Sequence, residues 1–146
     1  MRILVFNAGS SSLKFGVFDA NGAAVQQFKG GFERFRDGGC AYKFQAGDRT
    51  EEGTAPHADL AAAIAAVPAV LAAWGITGLD AVGHRIVHGG VDYGEPTLLD
   101  DATLAKIEAL IPLAPLHLPA NLEAVRIAQA VWPDVPQVGG FDTAFH

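Results

Sequence analysis

Asn7, Ser10, Ser11, Ser12 and Lys14 bring one amide, three hydroxyls and one ammonium to a single short stretch, Asn7-Ala8-Gly9-Ser10-Ser11-Ser12-Leu13-Lys14. Apolar runs flank it, Ile3 to Phe6 before and Leu13 to Phe18 after, so it reads as a turn between two strands. A tight Gly/Ser loop offers backbone N–H groups to an anion, with hydroxyl donors and an ammonium beside it. That set suits a phosphate, the more so with a metal ion. It is not the P-loop pattern, because no second glycine precedes Lys14 and a strand follows where that pattern needs a helix. A solvated serine-rich hairpin would carry the same residues.

Three more clusters have chemical content. In Gly83-His84-Arg85-Ile86-Val87-His88-Gly89-Gly90, a strand would put Arg85 and Val87 on one face and His84, Ile86 and His88 on the other. A guanidinium can hold both oxygens of a small carboxylate in a fork, while Val87 covers an apolar tail. Arg85 would serve equally as the partner of a structural Asp or Glu. Pro112-Leu113-Ala114-Pro115-Leu116-His117-Leu118-Pro119 freezes a loop with three prolines and presents His117 at a helix entry. It would also do as a rigid interhelical connection. In Gly139-Gly140-Phe141-Asp142-Thr143, Asp142 follows an apolar strand, where α/β ligand sites gather. There it could hold a metal, orient a nucleophile or cap the next helix. No His/Cys/Asp spacing matches a zinc site.

The elements that must position these residues are legible from periodicity. Strands are expected at Ile3 to Phe6, Leu13 to Phe18, Ala24 to Phe28 after an Asn21-Gly22 turn, and Ala41 to Gln45. Gly30 to Gly39 reads as a charged, Gly-rich loop or irregular edge, and Gly47 to Gly53 as a polar turn. Thr54-Ala55-Pro56 predicts a helix start. The stripe Leu60, Ile64, Val67, Leu71 and Trp74 continues that helix to a stop at Gly75, with Pro68 predicting a kink or two shorter helices. A strand is expected over Asp80 to Val87. A helix capped by Asp100 or Asp101 should carry the stripe Leu104, Ile107 and Ile111. Another should open at Pro119 and carry Leu122, Val125, Gln129 and Trp132, closed by Pro133, before a last strand from Val135 to Phe141. Antiparallel strands followed by alternating helices and strands predict an α/β domain with a mixed sheet. No repeat or low-complexity linker interrupts it. The chain stops four residues after Asp142, with nothing to cover that last strand, so a piece of a larger protein is expected.

Composition bounds the function. At 146 residues, half of them apolar, the chain is one ordinary domain with a sizeable core. A net charge of −6 and the lack of a basic stripe argue against nucleic acid and anionic membranes, though not against a nucleotide. Cys40 is the only cysteine, which excludes an intrachain disulfide and fits a reducing cytosol. The apolar run before Asn7, Ile3 to Phe6, is only four residues, too short for a signal peptide, and no apolar run reaches membrane-spanning length.

Taken together, the four clusters occur in this order in acetate kinases, and the chain resembles the N-terminal part of one from end to end. The resemblance implies a ribonuclease-H-like lobe of the acetate and sugar kinase, heat-shock chaperone and actin superfamily, a mixed sheet with flanking helices over residues 1–146. It implies reversible phosphoryl transfer between ATP and acetate, giving ADP and acetyl phosphate, with Mg2+ or Mn2+, in a cytoplasmic homodimer. By motif position, Asn7 matches the metal-site Asn. Gly9, Ser10, Ser12 and Lys14 match the first phosphate loop. Arg85 matches the substrate-carboxylate Arg, and Val87 and Leu116 walls of the acetate methyl pocket. His117 matches a His near the transferring phosphoryl group, and Asp142 the catalytic Asp. The chain departs from the family at Leu118, where an Asn usually follows the His. The adenosine site, a second substrate Arg, a second His and a metal-site Glu of the family lie beyond His146. One wall of the active site is therefore expected here, without turnover by this chain alone. Asn7 and Asp142 are expected within roughly 10 Å of each other, since Mg–O bonds are about 2.1 Å and waters can intervene. A propionate or butyrate kinase of the same family, and a non-catalytic phosphate-binding module, are the rival readings.

Overall fold

The computed structural model describes residues 1–19, 25–85, 97–99 and 118–139. Among the described residues, eight strands form one sheet: β1 (Arg2–Ala8), β2 (Ser12–Asp19), β3 (Val25–Arg36), β4 (Gly39–Ala46), β5 (Arg49–Ala55), β6 (Ala81–His84), β7 (Thr97–Leu98) and β8 (Gln137–Gly139). Their order across the sheet is β5-β4-β3-β2-β1-β6-β8-β7. Strands β1 to β5 are an antiparallel meander, whereas β6 runs parallel to β1 and β8 parallel to β6. The short β7 closes the far side antiparallel to β8. The expected mixed α/β sheet is what the residues build.

Two helices are described, α1 (Leu60–Ala73) and α2 (Leu118–Val131). They pack on each other and on one sheet face. That face carries Leu4, Phe6, Leu13, Phe15, Phe28, Phe32 and Phe44, and α1 covers it with Ala63, Ile64, Val67 and Leu71. The rings interlock: Phe15 lies 5.7 Å from Phe28 and 5.9 Å from Phe32 between centroids, and Phe32 meets Phe44 edge-on at 5.5 Å. Cys40 is buried with this cluster, and burial raises its thiol pKa, so it packs rather than reacts.

Several boundaries differ from the sequence expectation, each for a physical reason. Gly30 to Gly39 is not a loop; β3 continues through it to Arg36. Gly30 is small because a Cβ there would sit 2.7 Å from the Phe15 ring and 2.9 Å from Phe28, so this glycine marks a crowded sheet rather than a turn. The irregularity is confined to the strand's end, where Arg34 adopts φ 59° and the register shifts between Glu33 and Arg36. Gly47 to Gly53 holds a turn only at its start, because β5 pairs from Arg49 onwards with β4. The side chains of β5 are exposed on both faces apart from half-buried Ala55, so no apolar alternation announced it.

Thr54 and Ala55 belong to that strand, opposite Ala41 and Cys40, and do not start a helix. The cap is Asp59, whose Oδ1 accepts the Ala62 N–H at 2.9 Å. Helix α1 runs unbroken through Pro68, whose ring is on the exposed side, so the predicted division into two helices does not occur. The expected strand over Asp80 to Val87 is described as Ala81–His84, and that over Val135 to Phe141 as Gln137–Gly139. The helix predicted after Asp100 or Asp101 lies outside the described residues. Among the described residues, no helix is long and apolar enough to cross a membrane.

Candidate active site

The sheet face turned away from the helices carries Lys14, Lys29, Glu33 and Lys43. Strand alternation sends Phe15 and Val17 into the core and leaves Lys14 exposed on the opposite face. Asn7 stands opposite Lys14 in the β1–β2 register. Phe6 is opposite His84 in the β1–β6 register, and the Arg85 N–H donates to the Phe6 carbonyl at 2.9 Å, which carries the pairing one residue further. Asn7, Lys14 and Arg85 thus come from three adjacent strands and line one cleft of about 490 Å³. Among the described residues no carboxylate forms an ion pair with Arg85. The alternative of a structural Arg–carboxylate pair has no support there.

The Gly/Ser stretch is the hairpin between β1 and β2. Ala8 pairs with Leu13, the Gly9 N–H donates to the Ser12 carbonyl at 2.9 Å, and the Phe35 N–H reaches the Ser11 carbonyl at 3.3 Å. Ser10 and Ser11 are exposed, while Gly9 and Ser12 are half-buried. A Cβ on Gly9 would come 3.3 Å from the Ser12 hydroxyl, tighter than most contacts, so glycine keeps that loop close to its neighbour. Strands β1, β6 and β8 run the same way, with Phe6, His84 and Gly139 in one row, so their carboxyl ends share one edge with this loop. Val87, Leu116, His117 and Asp142 lie outside the described residues, and with them the expected approach of Asp142 to Asn7.

His84 turns to the other face, as alternation requires. It is buried, packs at 5.8 Å from the Phe6 ring, and shares a 2.7 Å hydrogen bond between its Nε2 and the Gln137 Oε1. The amide oxygen accepts, so His84 carries its proton on Nε2. Burial lowers its pKa to about 4, the Gln137 bond working in the opposite direction. The unfolded chain protonates near pH 6.5 and the folded one only near 4, so the unfolded state binds more protons between these values. Stability should therefore fall by about 3 kcal/mol as pH drops from 6.5 to 4, with no further loss from this group below that. Urea unfolding of the protein and of His84→Gln at several pH values checks this. The variant should show a flatter pH dependence, and equal slopes would refute the assignment.

Five cleft residues escaped the reading of motifs: Gln26, Lys29, Glu33, Lys43 and Gln45. Their signal was present, since Lys29 and Glu33 alternate with Phe28 and Phe32, and Lys43 and Gln45 flank Phe44. Among the described residues, four cations and one carboxylate line the cleft, and three of the chain's four lysines are among them. In a chain of net charge −6 this is a local reversal of sign, which concentrates anions.

A divalent cation fits this donor set only in company. Asn7 offers one amide oxygen, flanked by Lys14 and Arg85, and no group of three His, Cys, Asp or Glu able to hold a metal occurs among the described residues. Such surroundings repel a bare cation. They suit Mg2+ that arrives with phosphate oxygens, which is how Mg2+ is usually held.

A mixed sheet that covers one face with helices and lines the other with an Asn–Lys–Arg row defines an α/β lobe with a cation-lined cleft. Residues 2–146 match the acetokinase family, and the chain belongs to it. The acetate kinase of Streptomyces avermitilis is 47% identical over 152 residues, covering 99% of this chain and 37% of that protein. That of an Arthrobacter species is 46% identical, covering 100% and 36%. Among solved structures, Porphyromonas gingivalis acetate kinase superposes with a TM-score of 0.86 at 34% identity, over 99% of this chain and 38% of the other. A propionate kinase from Francisella tularensis gives 0.85 at 34% identity, over 99% and 38%. The chain thus spans well under half the length of these relatives, and its sheet and helices match the N-terminal lobe of acetate kinase structures.

Proposed function

We propose that the protein catalyses reversible phosphoryl transfer between ATP and acetate, giving ADP and acetyl phosphate. The observation that carries the reading is the convergence of Asn7, Lys14 and Arg85 on one cation-rich cleft in a chain of the acetokinase family. Acetate is already ionised at neutral pH, so its oxygen needs no general base. An acetate oxygen attacks the terminal phosphorus as the bond to the ADP oxygen breaks, and the demand is to hold two anions in line. Arg85 fixes the carboxylate in its fork, and Lys14 offsets charge on the phosphoryl oxygens. Gly9, Ser10 and Ser12 present loop donors to the same group. Magnesium, or manganese, supplies charge neutralisation on the phosphates when bound, with Asn7 as its protein-side oxygen donor.

By family resemblance, His117 hydrogen-bonds an equatorial oxygen, Asp142 positions the metal's waters, and Val87 and Leu116 enclose the methyl group. Residues 1–146 act as one ribonuclease-H-like domain, the nucleotide lobe being supplied by sequence that the longer relatives carry. A cytoplasmic homodimer, away from nucleic acid and membrane, is part of the same reading. It agrees with the acidic chain and with the absence of a possible intrachain disulfide.

The test is acetyl phosphate formation by the intact enzyme with MgATP, trapped as the hydroxamate. No product above the enzyme-free rate would refute the reading. Propionate is the second substrate to measure, because a Francisella propionate kinase superposes as well as an acetate kinase does. One methylene is worth only ~1–3 kcal/mol in such a pocket. A kcat/KM ratio favouring propionate would exchange the substrate and keep the mechanism.

A further inference from the structure

Gly31 sits in the middle of the cleft wall with a lysine on either side. It pairs with Lys14 on β2 and with Lys43 on β4, while Lys29 lies two residues back on the same face of β3. Strands are about 4.8 Å apart, so the Lys14 and Lys43 backbones stand roughly 10 Å from each other. Lysine stems are long enough to bring all three ammonium groups over the gap that Gly31 leaves. Among the described residues none of the three is paired with a carboxylate, and all are exposed. Glu33, two residues beyond Gly31, is the one acid among the described residues that line the cleft.

Packing does not explain the glycine. A Cβ at Gly31 would meet only the Leu13 carbonyl oxygen at 3.5 Å and the Lys14 Cγ at 3.8 Å, ordinary contacts, and its φ is not in the left-handed range. Its neighbour Gly30 is held small by two phenylalanines. A glycine with room for a side chain, ringed by three unpaired cations, fits the close approach of a ligand to the backbone.

We propose that Lys14, Lys29 and Lys43 around Gly31 form a second oxyanion subsite, which takes one phosphate group of a polyphosphate chain while a neighbouring group faces Asn7 and Arg85. Lys14 is shared between the two positions. The cleft's sign and geometry carry the chemistry; that the natural ligand is the phosphate chain of a nucleoside triphosphate rests on the phosphoryl-transfer reading.

Calorimetric titration of the protein with inorganic tripolyphosphate, orthophosphate and MgATP tests it. Tripolyphosphate should bind more tightly than orthophosphate, because it spans both positions. Lys29→Gln and Lys43→Gln should each weaken tripolyphosphate binding about 5-fold, the size expected for an exposed charge pair. Gly31→Asp, whose carboxylate would occupy the gap, should weaken it more than either. Arg49→Gln, a charge removed outside the cleft, should leave it unchanged, and circular dichroism checks that each variant is folded. A parallel loss of MgATP affinity names the nucleotide as the source of the phosphates. A loss confined to tripolyphosphate names a free polyanion instead. Unaltered tripolyphosphate affinity in folded Lys29→Gln, Lys43→Gln and Gly31→Asp overturns the subsite. Should the intact enzyme fail to phosphorylate acetate while these variants still lose tripolyphosphate, the proposed reaction falls and the subsite stands.

Discussion

Replacing Arg85 by alanine is expected to raise the acetate KM of the intact enzyme steeply and to lower kcat with it. Arg85 follows the last described residue pair of β6 and β1, is half-buried, and faces the cleft with Asn7 and Lys14. Loss of a charged hydrogen-bond partner costs on the order of 1.5–3 kcal/mol, which is roughly a 10- to 150-fold loss in kcat/KM for acetate. Part of that should appear in kcat, because a guanidinium fork holding the carboxylate would also align it for in-line attack. Arg85→Lys should recover only a fraction, since an ammonium keeps the charge without the two parallel donors. The MgATP KM should move far less than that of acetate. Steady-state kinetics with each substrate varied in turn would show the split. Unchanged acetate kinetics in a folded Arg85→Ala enzyme would remove Arg85 from the site.

The largest stability effect is expected at Phe32. It is 1% exposed and its ring is clasped by Phe15 and Phe44, with His57 edge-on at 5.5 Å. Truncation to alanine leaves a cavity between rigid strands, where neighbouring rings belong to a paired sheet and cannot close in. The cost should be about 3–5 kcal/mol. For a chain of this size that lowers Tm by roughly 10–15 °C. Thermal and urea unfolding with unchanged m-value would measure it. A loss below about 1 kcal/mol would mean that the sheet relaxes into the space, contrary to the packing described. Phe35, half-buried at the rim of the same cluster, should cost less when truncated, which makes it the internal comparison.

What could be read from the sequence depended on whether a residue's neighbours in the chain were also its neighbours in space. Leu13, Phe15 and Val17 alternate with Lys14 and Gly16, and that pattern alone placed Lys14 on the face opposite the core. The same rule put Arg85 and His84 on opposite faces, where they are found. The motif order identified the family, because a motif is a local string and survives intact in one dimension. The signals at Gly30, Gly53 and Thr54 misled for the converse reason. Gly30 is small because Phe15 and Phe28 converge on it, and Gly53 because the Tyr42 hydroxyl would come within 2.9 Å of a Cβ and its ring within 3.0 Å. Phe15 and Tyr42 come from neighbouring strands, and only Phe28 is near its glycine in the chain. The exposed strand β5 is held by backbone bonds to β4, which carry no side-chain periodicity.

The sequence by itself determined the fold class, the faces of the strands and the identity of the phosphate-loop and carboxylate-binding candidates, because all of these follow from period-two alternation and short motifs. Only the tertiary structure decided that Asn7, Lys14 and Arg85 share a cleft with Lys29 and Lys43. Strand order and register set which residues of β6, β1, β2, β3 and β4 stand side by side, and those are fixed by how the phenylalanine core packs against α1. Contact across 78 residues of chain, as between Arg2 and Asp80, has no local signature. It arises when the whole apolar face is buried at once.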